Sequence, residues 1–219
     1  MPRKSKELDE ATPEAIAEAG LAIIGRRGPS ELSFRAIAAF LQVSHTTVVR
    51  RGGGDLHGLL DLLVDHLALG LPDIAPGALP WAQATEQRFT GLYTLLAAHP
   101  GLVLLRGPRP WLGPRLLTRL FEPQVADNVS LGLTIDQALY AYREMYLYTL
   151  GNAAMVDYQD PKATRLRVRS SLAAYDPEEH PLLAHHLDKI AGLVTSGAEI
   201  FTDGLRRFLA SWESTARAQ

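Results

Sequence analysis

The chain contains no cysteine. That excludes a disulfide framework, thiolate zinc sites and cysteine nucleophiles. Long apolar runs are also missing: no segment reaches the ~20 uninterrupted apolar residues that a bilayer span requires. The opening MPRKSKELDE is charged with no apolar stretch behind it, so no secretory signal is expected, and the protein is expected in the cytoplasm without a membrane partner. Neither sign of charge dominates. The net charge is −2, which argues against a protein that coats nucleic acid over its whole surface. Positive side chains gather in two places, Arg3, Lys4 and Lys6 at the start and Arg50 with Arg51 further on. Strand-like alternation, internal repeats and low-complexity tracts are absent. What is present is 219 residues, 47% of them hydrophobic, enough to bury a sizeable core.

Helical periodicity runs through the whole chain and predicts an all-α fold. Thr12-Pro13-Glu14 is a helix start, with an N-cap threonine, proline at the first helical position and acid in the first turn. Ile16, Ala19, Leu21, Ile23 and Ile24 form its apolar side, and Gly28-Pro29 stops it.

Residues 32–51, LSFRAIAAFLQVSHTTVVRR, then read as a helix-turn-helix. Ser33 caps a short helix whose Phe34, Ile37, Ala38 and Leu41 share one face. Leu41-Gln42-Val43 is a tight connection, and Ser44 caps the next helix. That helix opens with His45, Thr46 and Thr47, polar residues that can approach base edges in a DNA groove. Val48 faces back to the first helix. Ser33, Arg35, Ser44, Arg50 and Arg51 are the candidates for the DNA backbone.

Gly52-Gly53-Gly54 breaks the chain, and Asp55 caps a leucine-rich helix through about Leu69. A cluster of Gly70, Pro72, Pro76, Gly77 and Pro80 follows. The expected division is a three-helix DNA-binding domain over 1–54 and a larger helical domain over 55–219, with 55–70 as the connecting helix. Within the second unit the spacing predicts helices over Trp81–Ala98, Leu102–Arg106, Pro114 to about Leu131 and Thr134 to about Tyr158. Pro161–Pro181 reads as a polar loop carrying a short helix, and Leu182–Trp212 as a final long helix interrupted by Gly192 and Gly197. His185 and His186 are adjacent and diverge by about 100° on a helix, so even with His180 nearby they make a poor metal pair. No metal site, cofactor or catalytic constellation is expected.

Taken together, these residues resemble the TetR family of transcriptional regulators over nearly the whole chain. One match runs from the Thr12 helix through GPSELSFRAIAAFLQVS, with Gln42 where the family's turn usually carries glycine. An independent match includes HPGLVLLRGPRPWLGPRLL, QALYAYREMYLYTLGNA, EEHPLLAHHL and EIFTDGLRRFL, the last similar to the family's glutamate-x-phenylalanine-x-x-glycine-leucine ending. The chain departs at the end of the second motif helix. Val49 and Asp55 stand where the family places a tyrosine and a lysine that hold phosphates, and Arg50 and Arg51 are candidates to supply that charge instead.

The resemblance implies a homodimer paired through its last long helices. It implies a repressor that binds a near-palindromic double-stranded DNA operator and is released by a small-molecule effector. The effector would lie among the C-terminal helices, with Trp81, Phe89, Tyr93 and Trp111 as candidate ligand-binding residues, together with Phe121, Tyr142, Tyr146 and Phe201. The altered junction keeps a second class open: a TetR-shaped binding protein or enzyme that has lost DNA binding.

Overall fold

Each of the first helices begins where a side-chain oxygen takes over a backbone N–H that the helix cannot pair. The computed structural model describes residues 11–99, 101–107, 113–155, 160–193 and 196–218. Helix α1, Pro13–Arg27, starts with Thr12 Oγ1 accepting from Ala15 N at 3.1 Å and ends at Gly28, whose φ of 90° suits glycine. Helix α2, Phe34–Leu41, is capped by Ser33, which accepts from Ala36 N at 3.1 Å. Helix α3, His45–Arg51, is capped by Ser44, which accepts from Thr47 N at 3.2 Å. Ile16, Ile37 and Val48 are fully buried, so one residue from each helix fills the centre of this trio.

The turn between α2 and α3 carries a local conflict. Gln42 lies in the left-handed region at φ 57°, the only described non-glycine with positive φ. Its side chain is exposed, so little packing offsets the crowding of its Cβ against the carbonyl. Gln42→Gly is therefore expected to stabilise the protein by about 0.5–1 kcal/mol, after allowing for glycine's greater freedom when unfolded. Thermal melts check this, and a lower melting temperature would count against the strain.

Helix α4, Leu56–Leu67, starts with Asp55 accepting from Gly58 N at 2.8 Å and runs into one tighter turn, Ala68–Gly70. Leu59, Leu60 and Leu63 are fully buried, and α4 lies along α1. The glycines before it are a close crossing as well as a break. A Cβ on Gly53 would stand 2.4 Å from the Gly58 carbonyl carbon, and one on Gly58 would stand 2.3 Å from the Gly53 oxygen. Neither position has room for a side chain.

Seven further helices, among the described residues, make the C-terminal part. They are α5 (Trp81–Ala97), α6 (Leu102–Arg106), α7, α8 (Ile135–Ala154), α9 (Pro161–Leu172), α10 (Pro181–Leu193) and α11 (Gly197–Arg217). Helix α7 runs through Pro114–Leu116, a widened turn over Leu117–Phe121, and Glu122–Ser130. Pro123 has no N–H to donate, which interrupts the regular ladder where the turn widens. Helix α8 opens with a reciprocal Thr134–Gln137 capping box and packs against α5, α6, α7 and α11. The core is continuous from Ile16 and Leu63 through Phe89 and Leu96 to Met145 and Phe201.

Two sequence expectations change here. The long helix expected over 182–212 is two helices, α10 and α11, with Ser196 at the start of the second and His186 already non-helical at φ −119°. Glycines at 192 and 197 flank the break, where helix continuation is costly. The segment over 161–181, expected as a loop carrying a short helix, has that helix extended to the 12-residue α9, which pairs with α10 as a hairpin. Arg169 Nε donates to Asp188 Oδ1 at 2.6 Å across that pair. Tyr158, the expected end of α8, lies outside the described residues.

Candidate nucleic-acid interface and effector chamber

Capping of α3 leaves its first turn facing water. His45 and Thr46 are exposed, and the His45 ring meets the edge of Phe34 with centroids 6.4 Å apart. Thr47 is half-buried, and its hydroxyl lies 2.7 Å from that of Ser44, so it is partly committed to holding the cap. Ser33, Arg35, Ser44 and Arg50 are all exposed. Thr46 and Arg50 are four residues apart and share one side of α3.

Arg51 is turned elsewhere. Its Nη1 donates to the Ala11 carbonyl at 3.2 Å, tying the end of α3 to the segment that enters α1. The two arginines should therefore separate experimentally. Arg50→Ala is expected to flatten the log–log dependence of DNA affinity on salt by about 0.9 for each phosphate the side chain had neutralised. Arg51→Ala should lower affinity while leaving the slope near the wild-type value. Titration at several salt concentrations checks both, and equal slope changes would return Arg51 to the phosphates.

Most of the expected ligand residues are buried or half-buried and in ring contact with one another. Tyr93 stacks on Phe201 at 4.3 Å with planes 6° apart. Phe121 meets Tyr142 edge-on at 5.0 Å, Tyr142 stacks on Tyr146 at 5.6 Å, and Phe89 reaches Tyr142 at 6.2 Å. Burial pushes the Tyr142 and Tyr146 hydroxyls above the ordinary phenol range, so both keep their protons at neutral pH. The Arg143 guanidinium lies 5.8 Å from the centre of the Tyr146 ring.

Trp81 packs against the same core, with its Nε1 donating to Asn128 Oδ1 at 2.8 Å. Trp111 lies outside the described residues. A small enclosed apolar hollow lies between α4, α5 and α7, lined in part by Val64, Leu67, Leu92, Leu96 and Leu116.

Three features were not singled out from the sequence. The first is a buried polar network. Arg88 is fully buried, with Nη1 2.8 Å from Asp127 Oδ2 and 3.1 Å from Gln124 Oε1, and Nη2 donating to Ile74 O at 3.0 Å. Gln124 Nε2 donates to Thr85 Oγ1 and Asn128 Oδ1, and Asn128 Nδ2 donates to Ala138 O. Gly77 N donates to Asp127 Oδ1 at 2.8 Å, which fastens the 71–80 connection to α7. The available signal was a charged residue inside the apolar stripe of α5, between Ala84 and Phe89.

The second is the anchoring of α4. Asp61 and Asp65, one turn apart, pair with Arg106 of α6 and Arg115 of α7, and Arg115 also reaches Glu14 of α1 at 3.3 Å. Arg115 N donates to Asp65 Oδ1 at 2.8 Å.

The third is a groove of about 750 Å³ between α8 and α11, lined by Tyr148, Ile200, Gly204 and Phe208 among others. Tyr148 Oη donates to Ile200 O at 2.9 Å, and a Cβ on Gly204 would stand 1.9 Å from that hydroxyl. The glutamate-x-phenylalanine-x-x-glycine-leucine ending thus has a packing reason: Phe201 and Leu205 are fully buried, and Gly204 makes way for Tyr148.

A family model described as tetracyclin repressor-like, C-terminal domain, matches residues 72–215. No curated protein sequence matches the chain. Apo ActR from Streptomyces coelicolor has the same fold with a TM-score of 0.76 at 21% identity, covering 94% of this chain and 97% of that one. ActR in complex with actinorhodin gives 0.75 at 22% identity, covering 94% and 96%. A TetR variant from Acinetobacter baumannii in complex with minocycline gives 0.63 at 16% identity, covering 92% and 96%. These structures carry the same order of parts, an N-terminal helix-turn-helix followed by a C-terminal ligand-binding domain. With more than half of its length matched by the family model, the chain belongs to the TetR family of transcriptional regulators.

Proposed function

We propose that the protein is a ligand-responsive transcriptional repressor of the cytoplasm, binding a near-palindromic DNA operator as a homodimer. In this reading residues 1–54 contact DNA, 55–219 bind the effector and the second subunit, and 55–70 connect the two. The supporting observation is the capped α3 helix, which leaves His45 and Thr46 open to a major groove while Val48 locks it to the core. Two copies related by a two-fold axis would place two such helices in successive major grooves. The open groove along α8 and α11 supports pairing through that face.

Release would follow from α4, which lies along α1 and is held to α6 and α7 by its two acids. An effector shifts DNA affinity by no more than its differential affinity for the two states. Bound ligands in the related structures, actinorhodin in ActR and minocycline in the Acinetobacter protein, support a small-molecule effector here. Selection of bound sequences from a random DNA pool, with light scattering on the free protein, tests the proposal. A two-fold symmetric site and a dimer are expected. A monomer at micromolar concentration, or failure to enrich any sequence, would favour the reading as a TetR-shaped protein that has lost DNA binding.

A further inference from the structure

We propose that Val49 reads the C5-methyl group of a thymine, so that each operator half-site carries an A·T pair at one fixed position under α3. The inference rests on the reading of the protein as a DNA-binding regulator and names what the operator must offer that helix.

The outward face of α3 is set by its buried one. Val48 is fully buried. Successive side chains turn by about 100° on a helix, so Thr46 and Arg50 each lie about 160° from Val48, to either side of the outward direction. Val49 and Thr47 form the two flanks, each about 100° from Val48. The flanks differ in chemistry. The Thr47 hydroxyl lies 2.7 Å from that of Ser44 and belongs to the cap. Val49 has no polar group to give to a cap or a phosphate. One turn before it on the same flank, the His45 ring is set against the edge of Phe34, with centroids 6.4 Å apart.

Nor does the core take up Val49. Phe34, Ala36, Leu41 and Val43 of the same motif are half-buried and pack against the core. Val49 is half-buried too, but among the described residues it is not one of the side chains packed there. The segment that folds back on this end of α3 is glycine, with Gly54 N donating to Val49 O at 2.9 Å. It lays no side chain over the valine.

The thymine methyl is the apolar group that the major groove displays, beside a code of donors and acceptors. A polar base edge facing the isopropyl group loses water and gains no partner, which selects against it. A thymine at that place instead buries its methyl against those of Val49.

Deoxyuridine is the probe, because it pairs with adenine as thymidine does and lacks only the methyl. Each thymine of the selected operator is replaced in turn, in both half-sites together. At one position the wild type should bind about 10- to 25-fold more weakly, the product of two losses on the scale of one buried methyl group. Val49→Ala should lose a similar factor on the thymine operator. It should change by less than about twofold more when uracil is placed there, because the interacting pair is already broken. Its binding to a scrambled duplex should stay at the wild-type level.

Val49→Thr keeps the shape of the side chain and exchanges one methyl for a hydroxyl, and it carries the same test if the alanine variant does not fold. An operator with no methyl-sensitive thymine would overturn the proposal and leave the regulator in place. So would a sensitive thymine whose effect persists in both Val49 variants, since another residue would then read it. Equal losses on operator and scrambled duplex would overturn it by assigning Val49 to the fold or to general DNA affinity. Failure to enrich any DNA sequence would remove the regulator and this inference with it.

Discussion

Arg88→Met is expected to destabilise the protein by about 3–5 kcal/mol, because it leaves the Asp127 carboxylate buried without its cation. Asp127 is 4% exposed, so it cannot recover solvation without local opening. For a chain of this size the loss corresponds to a fall of about 6–20 °C in melting temperature. The effect should be specific to the broken pair. Combining Arg88→Met with Asp127→Leu removes both charges and should cost less than Arg88→Met alone, although the N–H of Gly77 then loses its acceptor. Thermal melts of the two single variants and the double variant decide this. Additive losses would mean that the two side chains act independently, despite lying 2.8 Å apart.

Thr46→Ala is expected to lower affinity for the operator by about 5- to 150-fold, the range set by losing about 1–3 kcal/mol of base discrimination. Binding to random DNA should hardly change, because backbone contacts carry that part of the affinity. Thr46 is the cleaner probe beside Thr47. Its side chain is exposed and takes no part in the cap, whereas the Thr47 hydroxyl lies 2.7 Å from Ser44. Equal losses on both DNAs would move Thr46 to the phosphates, and unchanged binding would remove it from the interface. The comparison is made by titrating wild type and variant with the selected operator and with a scrambled duplex.

The parts of the fold that could be read from sequence are the local ones. Thr12, Ser33, Ser44, Asp55 and Thr134 each cap the helix expected of them, because a cap is a contact over three residues. Gln42 was visible as the wrong residue for a turn, and its left-handed backbone shows why glycine suits that place. Contacts between distant segments were not legible. Arg88 finds its acceptor Gln124 36 positions away, and Arg51 reaches back 40 positions to Ala11. No spacing rule encodes either. The aromatic residues were recognisable by type and helical position, but ring identity does not say whether rings line a space or fill it. Here Tyr93 and Phe201, on α5 and α11, close on each other. The break between α10 and α11 was only half legible, since glycine weakens a helix without dictating where it stops.

The backbone crossing of Gly53 and Gly58 fixes the place from which α4 leaves the helix-turn-helix. Backbone meets backbone there, with no room for a Cβ on either glycine. Asp61 is three residues beyond the crossing, about 4.5 Å along the axis, and Leu67 is nine residues beyond it, about 13.5 Å. A tilt of about 10° about that place would carry the Leu67 end roughly 2.3 Å and the Asp61 backbone less than ~1 Å. A Cβ at either glycine would force the two backbones apart and move the start of α4.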